Sequence, residues 1–111
     1  MAGVSIPKLR EPEARILALR IAASYPSREA LTSQIKDDLP KYRALGPADL
    51  KASTKRPNEC MWQQIVGNVV SHNKTNTSIF NQGWAVRLTK VKGIRVTPAG
   101  LAHLKKLGYR V

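Results

Sequence analysis

The sequence predicts a mainly α-helical domain with one small β-hairpin, in the order three helices, hairpin, closing helix. Three observations carry that expectation. Apolar residues recur at helical spacing in three stretches before residue 72. The period then changes to two over "WAVRLT". Finally, Thr97-Pro98 opens a last helical stretch that stops at Gly108. The chain has 111 residues, enough for one modest core and no second one. Residues 1–10 read as a tail and 11–111 as the domain.

The first helix is expected near Glu11-Pro12, since proline suits a first turn. Ala14, Leu17, Ala18 and Ile21 form its inner stripe. Pro26 disfavours helix at Tyr25 and ends it. Ser27 is a candidate cap for the second helix, with Leu31, Ile35 and Leu39 inside, and Pro40 is expected to end it. "PADLKAS" after Gly46 allows a short helix. The third helix is expected near "RPNE", with Pro57 in its first turn and Glu59 at the positive end of its dipole. Trp62, Ile65, Val66 and Val69 are its core stripe. Residues 73–83 read as a polar loop anchored by Ile79 and Phe80. In the hairpin, Trp84, Val86 and Leu88 alternate with Ala85, Arg87 and Thr89. "KVKG" is the turn, with Gly93 available for positive φ.

Charge is the first functional clue. The net charge is +12. Residues 1–49 hold eight Lys/Arg against six Asp/Glu, whereas residues 50–111 hold eleven against Glu59 alone. Such an asymmetry implies a polyanionic partner. Lys55, Arg56, Lys74, Arg87, Lys90, Lys92 and Arg95 flank the third helix or decorate the hairpin, as cations do that contact phosphates without reading sequence.

The third helix, "CMWQQIVGNVVSH", raises a separate question. Opposite its core stripe lie Cys60, Gln64, Gly67 and Ser71, flanked by Gln63 and Asn68, and none is charged. A helix in the DNA major groove needs small residues at closest approach and amides at base edges, where Gln or Asn pairs with adenine. Gly67 costs about 1 kcal/mol of helix propensity relative to Ala, which a close neighbour would justify. Gln63, Gln64, Gly67, Asn68 and Ser71 are therefore the base-reading candidates. Cys60 and Trp84 are candidates for a methyl or base contact. The competing reading makes Gly67 a tight helix crossing and the amides ordinary surface. Trp62 and Trp84 are expected in the core, with stacking on DNA the alternative for Trp84.

Three helices followed by a two-stranded wing is the winged helix-turn-helix order. "ADLKAS", "MWQQIVGNVVSH" and "GIRVTPAGLAHLKKLG" resemble the winged-helix modules attached to restriction endonucleases, including the N-terminal module of Mrr-type proteins. "NKTNTSIFNQ" departs from that pattern by lengthening the path into the hairpin. The resemblance implies a duplex-DNA-binding module, the target-recognition part of a restriction or defence nuclease, with the third helix in the major groove and the wing beside it. A sharper version has it select adenine-methylated DNA. A nuclease domain in the same full-length chain is then an expected partner. The alternatives are a winged-helix transcription regulator and a winged helix used for RNA binding or protein assembly.

No catalytic constellation is legible, so an enzyme in its own right is not expected. His72, His103 and Cys60 have no ligand spacing, so neither metal nor cofactor is expected. One cysteine excludes a disulfide framework. No apolar run is long enough to cross a bilayer, and no signal-peptide pattern opens the chain. The expected location is the cytoplasm, nucleoid-associated, of a prokaryotic or phage cell interior.

Overall fold

Pro12 stands in the first turn of helix α1 (Glu11–Ser24), and Tyr25 ends it in an extended conformation ahead of Pro26. In the computed structural model, which describes residues 6–56, 58–72 and 75–111, this helix is central. Ala14, Leu17, Ala18, Leu19, Ile21, Ala22 and Ala23 are all buried. Its alanines let α2, α4 and α5 approach closely, and β3 also packs against it. The remaining elements are β1 (Glu29–Leu31), α2 (Thr32–Tyr42), α3 (Pro47–Leu50), α4 (Met61–Ser71), β2 (Ala85–Arg87), β3 (Gly93–Val96) and α5 (Pro98–Lys106). The domain is mainly helical with one small antiparallel sheet, ordered β1-β3-β2.

Strand β1 was not legible in the sequence, where Ser27 was expected to cap a helix. Instead Arg28 takes φ 59°, and Glu29, Ala30 and Leu31 pair with Arg95, Ile94 and Gly93. Three residues carry no pattern of their own, and only the partner strand makes them a strand. Helix α2 runs past Pro40 to Tyr42, closed by the Arg43 N–H on the Leu39 carbonyl at 3.2 Å. Proline there removes a single helical hydrogen bond in the last turn, and buried Leu39 holds that turn in the core.

Helix α4 starts at Met61, later than "RPNE" suggested. Asn58 has φ 68° and cannot be helical. Residues 51–53 instead close against residues 59–61: Ala52 bridges Cys60, Ser53 N–H donates to Glu59 O at 2.8 Å, and Met61 N–H donates to Lys51 O at 2.8 Å. Glu59 therefore serves no helix dipole. It accepts Lys36 Nζ at 2.6 Å and lies 3.7 Å from Arg56. Pro57 lies outside the described residues. The core stripe holds for Trp62, Val66 and Val69, whereas Ile65 is only half-buried.

In the hairpin, Ala85 faces the core opposite Val96, and Val86 faces outward opposite Arg95. This inverts the side expected to hold the larger residues: the register sets small Ala85 beside buried Val96 and leaves Val86 on the exposed face. Gly93 is not in the left-handed region. Its need is space, since a Cβ there would stand 2.5 Å from the Ala30 carbonyl of β1. Thr97 caps α5 by accepting the Gly100 N–H at 3.0 Å, and Gly108 follows the helix at φ 97°.

The segment before α1 is docked where it is described, contrary to the expected tail. Leu9 is fully buried, and its N–H donates to Asp49 at 2.7 Å.

Candidate nucleic-acid interface

The uncharged side of α4 meets the protein's own chain. Gln64 is buried, and its Oε1 accepts the Ser53 hydroxyl. That hydroxyl oxygen also accepts the Lys55 N–H at 3.2 Å and the Arg56 N–H at 2.9 Å. The Arg56 guanidinium lies over Gly67, where a Cβ would stand 2.5 Å from Nη1. A buried amide satisfied by a hydroxyl and a glycine beneath a guanidinium explain why this face carries no charge. Gln64 and Gly67, expected as base readers, are covered by the loop over residues 51–61.

The other base-reading candidates are divided. Gln63 Oε1 turns back to accept the Cys60 N–H at 2.8 Å, satisfying the start of the helix. Cys60 is the half-buried N-cap. Asn68 is half-buried, and Ser71 is exposed at the last turn. The side of α4 that the chain leaves most open carries Met61, Ile65, Asn68 and, just past the helix, His72. His72 Nδ1 lies 3.2 Å from a Glu11 carboxylate oxygen.

Trp84 is half-buried and stacked on His103, with ring centroids 3.8 Å apart and planes 9° from parallel. One ring face is thus occupied from within, which favours its reading as core.

The phosphate candidates fare differently. Arg87, Lys90 and Lys92 are exposed and have no acidic partner among the described residues. They line one groove at the hairpin turn with Leu88, Thr89 and Val91. The turn is held by Leu88 N–H on Gly93 O at 3.1 Å, and by Thr32 N–H on Lys92 O at 3.0 Å, which ties it to the start of α2. Arg87 also approaches the Phe80 ring, 6.0 Å from its centroid. Arg95 is exposed with Glu29 at 3.7 Å, a loose surface pair of small worth. Lys55 is exposed, whereas Arg56 is committed to Gly67 and Glu59. Lys74 lies outside the described residues.

Some cations of the first half are paired with its own acids. Arg43 meets Glu13 at 3.0 Å and Asp49 at 3.1 Å, and Lys41 meets Asp38 at 3.4 Å. Burial alone would raise the Asp49 carboxyl. The Gly46 and Leu9 N–H groups and Arg43 outweigh it and hold the group below the ordinary carboxylate range. The Lys36 ammonium holds Glu59 down in the same way. These acids stay ionised and paired at neutral pH, so the unpaired positive charge falls on the hairpin and other exposed cations.

Ser53, the residue that closes the α4 face, was not singled out by its sequence. It lies 11 residues before Gln64, at no recognisable spacing. Among the described residues no cluster of His, Cys, Asp or Glu could hold a metal ion, and no helix is long and apolar enough to cross a membrane. Comparison with protein-family models, curated proteins and solved structures finds no match to this chain.

Proposed function

We propose that this chain is a double-stranded DNA-binding module of the winged helix-turn-helix plan, gripping the phosphate backbone through its hairpin. The observation that carries the reading is the set Arg87, Lys90 and Lys92, exposed on one turn without an acidic partner among the described residues. Element order supports it as well: α1, β1, α2, two further helices and a β2–β3 hairpin, with β1 pairing with β3, is compatible with the order expected of a winged helix. The link to a restriction or defence nuclease rests on the sequence resemblance alone.

Base reading by α4 has weaker support than phosphate contact. Of the base-reading candidates, Gln64 and Gly67 are covered by Ser53 and Arg56, and of the methyl-contact candidates Cys60 is the half-buried N-cap and Trp84 is stacked on His103. Selectivity for methylated adenine is therefore not part of the proposal. The binding mode is led by phosphate contacts and tolerates sequence.

Exposed Leu31, Val86 and Val91 on and beside the sheet favour a second reading, protein assembly. A binding panel repeated over a range of salt concentrations separates the two. Duplex DNA is expected to bind more tightly than single-stranded DNA or RNA, with a log–log salt slope of roughly −4.5 to −6.3 for five to seven phosphate contacts. A slope near zero would remove the DNA reading.

A further inference from the structure

The short arm ahead of α1 is held in place by more structure than a linker needs. Asp49, with no exposed surface, accepts the Leu9 N–H at 2.7 Å, the Gly46 N–H at 3.0 Å and Arg43 Nη1 at 3.1 Å. Arg43 also donates to the Pro7 carbonyl. A buried carboxylate is costly unless fully satisfied, and here two of the groups engaged by this Asp49–Arg43 pair, the Leu9 N–H and the Pro7 carbonyl, belong to the arm. Leu9 is driven into the core, whereas its neighbours Lys8 and Arg10 are exposed. Neither has an acidic partner among the described residues.

Those two cations border the open side of α4. Lys8, Leu9, Arg10, Glu11 and Pro12 share one groove with Ile65. His72, at the far end of the helix, reaches back to Glu11. Arm, α1 start and open α4 side thus form one continuous surface. Its acid, Glu11, is engaged by His72, and nearby Glu13 is engaged by Arg43.

We propose that Lys8 and Arg10 form a second phosphate-contacting element for the same duplex, placed by the buried Asp49–Arg43 clasp. The clasp orders the arm before binding, so little conformational freedom is lost on contact. This rests on the reading of the chain as a duplex-DNA binder. It also assigns α4 its orientation, with the Ile65–Asn68–His72 side toward the nucleic acid and the Gln64–Gly67 side toward the protein's own loop.

The test is a salt titration of duplex DNA binding with three variants of the full chain. Lys8→Ala with Arg10→Ala is expected to reduce the magnitude of the log–log slope by about 1.8, two contacts at about 0.9 each. Lys90→Ala with Lys92→Ala is expected to reduce it by the same amount. Lys41→Ala, which removes an exposed cation paired with Asp38, is expected to leave the slope unchanged. Thermal melts should show all three folded, because every replaced side chain is exposed. If the arm variant behaves like Lys41→Ala while the hairpin variant loses slope, the arm proposal is overturned and the DNA reading stands. If the unsubstituted chain shows no slope at all, both fall together.

Discussion

The guanidinium of Arg56 lies on the bare α-carbon of Gly67, so close that a methyl group there would stand 2.5 Å from Nη1. The obstacle is the far end of a flexible side chain, not backbone. Gly67→Ala is therefore expected to move Arg56 aside and to keep stability within about 1 kcal/mol of the parent, because the gain in helix propensity is of that size. In an Arg56→Ala background the same substitution should stabilise by the full amount, about 1 kcal/mol. Denaturant melts of the four proteins check this. A large loss in both backgrounds would mean that something besides Arg56 crosses Gly67.

Two neighbours on α4 separate core packing from polar closure. Trp62→Ala is expected to destabilise by about 3–5 kcal/mol, as a large buried aromatic does. Gln64→Ala is expected to lose about 1–3 kcal/mol, because it strands the Ser53 hydroxyl in a covered site. Removing both Gln64 and Ser53 side chains should cost less than the sum of the single losses. Thermal stability of Gln64→Ala equal to that of the parent would reopen this face as a surface available to bases.

Acid should act on the clasp. The folded-state pKa of Asp49 lies below its ordinary value. Its contribution is thus fully present above the unfolded carboxylate range near about 3.9 and is lost as pH falls through the folded value. Glu59 and Asp38 are shifted the same way, Glu59 chiefly by its hydrogen bond from Lys36 and Asp38 chiefly by its hydrogen bond from Tyr25. Stability is expected to be steady from neutrality down to about pH 5 and to fall steeply below about pH 4. Asp49→Asn should lower neutral-pH stability by about 3 kcal/mol or more and flatten the acid limb. Melts between pH 2 and 7 of both proteins would show an unchanged limb if Asp49 were not the group responsible.

Reversing Lys90 and Lys92 to Glu is expected to weaken binding of duplexes of different sequence about equally, since phosphate contacts carry no sequence information. Methylated and unmethylated duplexes of one sequence are expected to bind alike, because Gln64 and Gly67 are covered. A methylation-dependent affinity in any adenine context would show that α4 reads bases through Asn68, Ser71 or another open residue.

Much of the architecture was legible in local pattern. Helical period, a proline in the first turn of α1, the Thr97-Pro98 start and the period-two stretch located the helices and the hairpin because each is a short-range property of the chain. The concentration of positive charge in the second half was likewise a property of composition, and it survives in the structure as exposed Arg87, Lys90 and Lys92, without acidic partners among the described residues. Tertiary structure alone decided three things. Glu29–Leu31 became a strand because β3 arrived beside it. Val86 turned outward because the register against β3 sets Ala85 on the core side. The uncharged face of α4 met Ser53 and Arg56 instead of solvent. In each case the deciding partner lies in a distant or loosely connected part of the chain, and helical or strand periodicity records which residues share a face without recording what covers it.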